Sequence, residues 1–339
     1  MKSRVLIICC MLLQAALLVA IEPPNLHSAI MLDAKFYTEG NSNSGSYDSS
    51  NRFQVRKAAV ELEGDLDEKI EYSVEFGVST CTGTGINLKL MDASIMYRLN
   101  ENFGLGFKQG HVLRGFASST ECTDRLTMEK PLFLPTFATC HPTGIVAEYY
   151  HEFGASSSLI TEIALMNGAN GTLDGEHDYN LGAIYHTPLD GLAFAGSYNL
   201  TAANYYDPLT AMSYSEDGYR SLLGINYDNY NISATAEYMM GKGFSNDKTE
   251  MIAAYAQAAY AIPINLGQVR YIQPLVLFEY WDKDSATDAD SEYSYLNAGL
   301  NISIGDHSKL KFNYKMPQQK AAGTPEQESS LIARLQMSF

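Results

Sequence analysis

The sequence predicts an all-β fold: a transmembrane antiparallel β-barrel of about 16 strands, with short turns at one end and longer loops at the other. Three observations carry that expectation. Period-two alternation of apolar and polar residues dominates the chain, and helical spacing is scarce. The gaps between alternating runs are by turns long and polar, then short. The aromatic content is Tyr-rich, with 23 Tyr against 1 Trp and 14 Phe, and there are 26 Gly, which suits aromatic girdles around a wet interior.

In chain order, Lys2 and Arg4 precede an apolar run from Val5 to Leu13 that resumes after Gln14 and ends in small residues near Ala20. That pattern reads as a secretory signal peptide over residues 1–20 and is marginal in length for an anchor. Cys9 and Cys10 lie within its apolar core, too early for lipid attachment. Residues 21–27 read as a short linker and 28–339 as the barrel.

Alternation places the first eight strands near Ser28–Tyr37, Phe53–Glu63, Lys69–Val78, Ile86–Arg98, Phe103–Lys108, Thr143–Phe153, Leu159–Asn167 and Asp178–Thr187. The second eight fall near Leu192–Thr201, Tyr219–Tyr227, Asn231–Met240, Glu250–Ala261, Val269–Trp281, Tyr293–Ile304, Ser308–Met316 and Glu328–Phe339. Faces sort cleanly: Leu310, Phe312, Tyr314 and Met316 alternate with Lys309, Lys311, Asn313 and Lys315, so one side meets lipid and the other water. Around Leu90, Met91 and Asp92 the alternation slips by one residue, the mark of a bulge.

Long connections include Thr38–Arg52, Gly168–His177, Ala202–Gly218, Asp282–Glu292 and Pro317–Gln327; short ones include Asp65–Glu68, Leu99–Asn102 and Gly305–His307. Outer-membrane barrels sort their loops this way, with short periplasmic turns and long external loops. The third long connection, 109–142, is expected to fold into the barrel mouth and narrow it. The chain closes on an alternating strand ending in Phe339, an ending similar to the insertion signal of bacterial outer-membrane barrels.

A formal net charge of −16 argues against nucleic-acid binding. Beyond the leader no run of about 18 apolar residues occurs, which excludes a helical membrane protein. The mature chain keeps Cys81, Cys122 and Cys140. A Cys122–Cys140 bridge would restrain the long loop by roughly 3 kcal/mol, leaving Cys81 over; the other pairings stay open.

Several stretches resemble the phosphate-selective porins of the O and P type. They are Phe53–Gly64 (FQVRKAAVELEG), Tyr72–Phe76 (YSVEF), Leu90–Tyr97 (LMDASIMY), Gly104–Gly110 (GLGFKQG), Met128–Pro131 (MEKP) and Gly144–Val146 (GIV). The resemblance spans roughly residues 50–150 by motif and the rest by architecture. It implies a sixteen-stranded homotrimeric channel of the bacterial outer membrane whose third loop enters the lumen, passing small hydrophilic solutes or ions, with anions such as phosphate among them. In that family basic residues line the constriction. Here the family's Arg-Arg pair stands as Arg56-Lys57, and the loop mixes Arg114, Arg125 and Lys130 with Glu121, Asp124 and Glu129.

Candidate lumen and constriction residues are therefore Arg56, Lys57, Lys108, His111, Arg114, Arg125, Glu129 and Lys130, joined on the wall by Lys309, Lys311, Lys315 and Arg334. That basic wall patch is expected to face an acidic one, Glu61, Glu63, Glu71 and Glu75, across the pore. Ordinary lumen polarity with local ion pairing is the plainer reading of either set. His111 and His141 flank the loop and would approach one another with Cys140 nearby, but so few donors assign no metal site. The Asp282–Glu292 acidic run lacks an EF-hand glycine and is a solvated loop. No cofactor is implied; expected partners are the lipid bilayer and the diffusing solutes. Two other classes were weighed: a surface or adhesive barrel with little conductance, and a barrel-embedded hydrolase, for which His151, His177, His186 and His307 have no nucleophile motif around them.

Overall fold

The computed structural model describes residues 24–37, 52–79, 88–121, 123–131, 133–134, 141–154, 156–167, 177–207, 212–242, 250–285, 292–319 and 329–339. The leader, Cys81, Cys122 and Cys140 lie outside them. Among the described residues the chain forms β1 (Asn25–Tyr37), β2 (Arg52–Asp67), β3 (Ile70–Ser79), β4 (Lys89–Asn100), β5 (Phe103–Gln109), the one-turn helix α1 (Phe116–Ser119), β6 (Thr143–Glu152), β7 (Ser158–Asn167) and β8 (His177–His186). It continues with β9 (Leu192–Asp207), β10 (Met212–Asn229), β11 (Ile232–Lys242), β12 (Glu250–Tyr260), β13 (Ile262–Leu266), β14 (Val269–Asp282), β15 (Glu292–Ile304), β16 (Ser308–Gln319) and β17 (Ser330–Ser338).

Apart from β12 and β13, every described strand pairs antiparallel with its sequence neighbours, and β1 pairs with both β2 and β17, so the sheet closes on itself. β12 and β13 lie on either side of Ala261 and both pair with β14. They act as one stave, and the barrel is sixteen-stranded with one short extra strand. The two ends of the chain are tied by Ser28 N–H to Phe339 O at 3.0 Å and Phe339 N–H to Ser28 O at 2.9 Å.

Alternation is resolved as expected. Leu32, Val60, Phe107, Ile145, Ile163, Leu181 and Val276 are exposed on the outer face, where lipid is their solvent. Asp33, Lys57, Glu75, Glu162, Asn180, Glu237, Asn301, Lys311 and Arg334 are buried inside. Aromatic rings gather near the short-turn end, where Phe153 makes edge contacts with His151 at 4.6 Å and Tyr185 at 6.2 Å. The slip at Met91 is a bulge: Asp92 opposes Glu75 while Leu90 opposes Phe76.

Strand boundaries differ from the sequence reading in several places, and three bear on the architecture. Asn25, Leu26 and His27 of the expected linker already pair with Glu63, Leu62 and Glu61, because their alternation continues that of β1. Pro317–Gln319, expected in a loop, extend β16. The expected loop Ala202–Gly218 is mostly strand: β9 and β10 pair from Leu192–Tyr227 up to Asp207–Met212. Its Tyr-rich composition favours pleated backbone. These strands have 16 and 18 residues, against the roughly 9–11 that cross a bilayer, so the hairpin projects beyond it.

Candidate functional site

Among the described residues, 110–121, 123–131 and 133–134 leave β5 and lie against the inner wall, and 141–142 lead into β6. Gly110 N–H donates to Pro142 O at 3.0 Å, one step beyond the last strand pair, Gln109 with Thr143. From there the loop is fastened to the wall stave by stave. Leu113 N–H donates to Glu162 Oε1 on β7 at 2.7 Å, and Asn180 on β8 donates to Leu113 O at 3.1 Å. Ser197 on β9 donates to Arg114 O at 3.0 Å. The close approach needs a glycine opposite, because a Cβ at Gly182 would collide with Leu113 O.

Helix α1 then meets β11. Glu237 accepts from the backbone N–H of Phe116 and, at 3.3 Å, of Ala117, which satisfies donors that a helix start leaves unpaired. Beyond it the loop crosses to the far wall. Gln336 on β17 donates to Thr123 O at 2.8 Å, Lys311 on β16 to Arg125 O at 2.8 Å and Asn301 on β15 to Leu126 O at 3.1 Å, and Met128 N–H donates to Asn313 Oδ1 at 2.9 Å. Phe133 and Leu134 then turn back and pack with Met239, Ala253, Tyr255, Leu277 and Tyr295. Burying two such side chains favours the docked loop by about 1.5–3 kcal/mol each.

Most charges in this region meet an opposite charge. Lys57 lies 2.8 Å from Glu75, Lys35 3.3 Å from Glu129, Lys108 3.3 Å from Glu162, and Arg334 holds Asp33 through bonds of 2.6 and 2.9 Å. Arg98 reaches both Glu71 at 2.6 Å and Glu148 at 3.3 Å. Arg114 and Arg220 share Asp178 at 3.8 and 4.0 Å. Burial pushes the Glu129 carboxyl up, but Lys315, Lys35 and Arg56 outweigh it and hold the group at about 2.

The candidate residues thus fall into distinct places. A bulge on β2 sets Met31 opposite Lys57 and Leu32 opposite Val55, leaving Arg56 as the extra residue. Both members of the Arg-Lys pair thereby act inside, Lys57 on Glu75 and Arg56 on Glu129. Lys315 stacks over Tyr295 at 4.3 Å. Lys130 is near enough to act on His111, whose ring lies 5.1 Å from His141. Arg125 is buried and donates to Thr120 O at 2.8 Å, and Lys311 and Arg334 are also buried, with Lys309 beside Lys311. Closure changes one expectation: β17 adjoins β1 and β1 adjoins β2, so the basic patch of β16 and β17 stands beside the acidic patch of β2 and β3 and not across from it. Asp92, Glu162, Asp178 and Glu237 belong to the site too. Alternation marks them as inward-facing, but the loop atoms they hold are not written in any pattern.

Below the loop a cavity of about 260 Å³ is lined by Thr120, Asp124, Arg125 and Thr127 of the loop and by Asn226, Thr235 and Gln257 of the wall. The geometry is that of a cavity with polar side chains in its lining, bounded by an inward-folded loop. A family model described as phosphate-selective porin O and P matches residues 32–254. No curated protein matches. Among solved structures, OprB of Pseudomonas putida superposes with a TM-score of 0.66 at 11% identity, covering 93% of this chain and 94% of its own. The outer-membrane channel DcaP of Acinetobacter baumannii gives 0.62 at 12%, covering 94% and 97%. OmpT of Vibrio cholerae, solved in a trimer form, gives 0.62 at 8%, covering 93% and 99%. At these identities the structures share the fold.

Proposed function

Because the chain belongs to the phosphate-selective porin O and P family and is a bacterial outer-membrane channel for passive diffusion of solutes, we propose that its lumen is a weakly charge-selective sieve for small hydrophilic molecules and ions. One observation carries the reading: lumen cations sit beside carboxylates, at 2.6–3.3 Å in the Arg334–Asp33, Lys57–Glu75, Lys35–Glu129 and Lys108–Glu162 pairs. A charge paired at contact distance presents mainly a dipole to a passing ion, and the field of a dipole decays faster than that of a lone charge. The mixed loop charges fit the same picture.

Reversal potentials of the mature protein in planar bilayers under a potassium chloride gradient test it. The two permeabilities are expected to agree within about threefold, with little block by millimolar phosphate. Removing the carboxylate with Glu129→Gln should then shift preference towards chloride, because Lys35, Lys315 and Arg56 lose the anion they surround. Strong anion preference and tight phosphate block in the unaltered protein would sink the sieve reading in favour of a phosphate filter.

A homotrimer is the assembly we infer. β5 has 7 residues, short of the roughly 9–11 that a tilted strand needs to cross. The outer face beside it carries a side-by-side row of Ile95, Phe107, Ile145 and Leu165. A neighbouring copy would cover that row, and OmpT, which shares the fold, is solved in a trimer form.

A further inference from the structure

We propose that Asp92, His111 and His141 form a binding site for a divalent transition-metal ion, with zinc as the reference ion, tying both ends of the constriction loop to the wall. One ligand atom from each residue lies within 4.8 Å of the others. His141 Nδ1 already lies 2.9 Å from Asp92 Oδ1, and the two imidazole rings are 5.1 Å apart with their planes at 57°.

The register of the sheet builds this cluster. β5 and β6 pair Gln109 with Thr143, and the Gly110–Pro142 hydrogen bond adds one step, so His111 and His141 are the next opposed pair although 30 positions separate them. On the other side β4 pairs Ala93 with Gln109, which sets Asp92 level with Gly110. A Cβ at Gly110 would lie 2.5 Å from Asp92 Oδ1, so glycine is what lets the loop pass so near the carboxylate. Three chain segments thereby deliver two imidazoles and one carboxylate to one point. Zinc bonds of roughly 2.0–2.2 Å place tetrahedral ligand atoms a little over 3 Å apart, which small side-chain rotations from the present spacing reach.

The donor set selects the ion. Two nitrogens and one carboxylate oxygen suit zinc, cobalt, nickel or copper better than calcium or magnesium, which prefer all-oxygen shells. Three protein ligands leave a position for water. Lys57 on β2 lies 2.8 Å from Glu75 and also acts on Asp92, so the carboxylate is held as the anion that a metal ion needs. A bound ion would join β4 to the first and last residues of the loop and place two positive charges where the loop leaves the wall.

The mature protein in detergent, freed of metal with a chelator, is titrated with cobalt and with zinc, and its conductance is recorded in bilayers with and without micromolar zinc. One ion per chain is expected, with cobalt d–d absorption of a low-coordinate nitrogen and oxygen site. Zinc should change the conductance, and EDTA should restore it. The His111→Ala/His141→Ala double variant should bind at least about tenfold more weakly, while His151→Ala, at the short-turn end beside Tyr149 and Phe153, should bind as the unaltered protein does. Absence of the cobalt bands in the unaltered protein overturns the proposal whether or not the variant folds. Equal binding by the folded double variant, or a thiolate charge-transfer band that would enlist Cys140, overturns it as well.

Discussion

Glu237 shows how much of the passage rests on single carboxylates of the wall. It faces inward from β11 and receives the first backbone donors of α1, so Glu237→Ala leaves two N–H groups without their acceptor, each costing about 1–3 kcal/mol. The expected result is an intact barrel with a loosened loop. Trypsin should cut after Arg125 faster than in the unaltered protein, and single-channel records should grow noisier; unchanged digestion would count against Glu237 as the anchor. Glu237→Gln keeps an acceptor and should fall between the two. At this scale the sequence was only partly legible. Alternation sorted the inward faces, and Arg56, Lys57 and Glu129 could be named as lumen residues. Their partners could not be read, because the pairing of Lys35 with Glu129 or Gln336 with Thr123 depends on where a loop lands after crossing the lumen.

At the scale of elements, strands and the long loop were readable because each strand alternates with a period of two and the loop does not. The extension of β9 and β10 was missed because polar residues such as Asn204 and Ser213 imitate a loop, while the pairing that makes them strand lies on the neighbouring stave. The split between β12 and β13 at Ala261 was missed too, since the alternation ends at Ala261 and residues 262–268 were left between two strands. The course of the loop depends on clearance as well as on hydrogen bonds. Gly182→Ala would put a methyl group into Leu113 O, so the start of the loop should shift and the conductance should change by a measurable step with the barrel still folded. Gly154→Ala is the control: it sits in open space with φ +77°, and should cost only about 1 kcal/mol of backbone strain with conductance unaltered. Equal conductance in both variants would show that the loop tolerates the intrusion.

For the whole molecule, the proposed trimer rests on the apolar outer row beside the short strand β5. The detergent-solubilised protein should have a native mass of three chains, and Phe107→Arg, which sets a charge in the Ile95–Phe107–Ile145–Leu165 row, should lower it to one; a monomeric unaltered protein would exclude the trimer. The closed topology was legible in outline from the even strand count and the alternating gaps. Which strands become neighbours at the seam was the part left unread, and it decides that the basic and acidic patches are adjacent. That seam also constrains the order in which the protein is made. The Asp33–Arg334 bonds join residues 301 positions apart, and long-range pairing of this kind forms late because a long chain must first be brought together. The loop takes several of its anchors from β15, β16 and β17. A half-assembled barrel therefore lacks the anchors for Thr123, Arg125, Leu126 and Met128, and the crossing is completed only with the last strands.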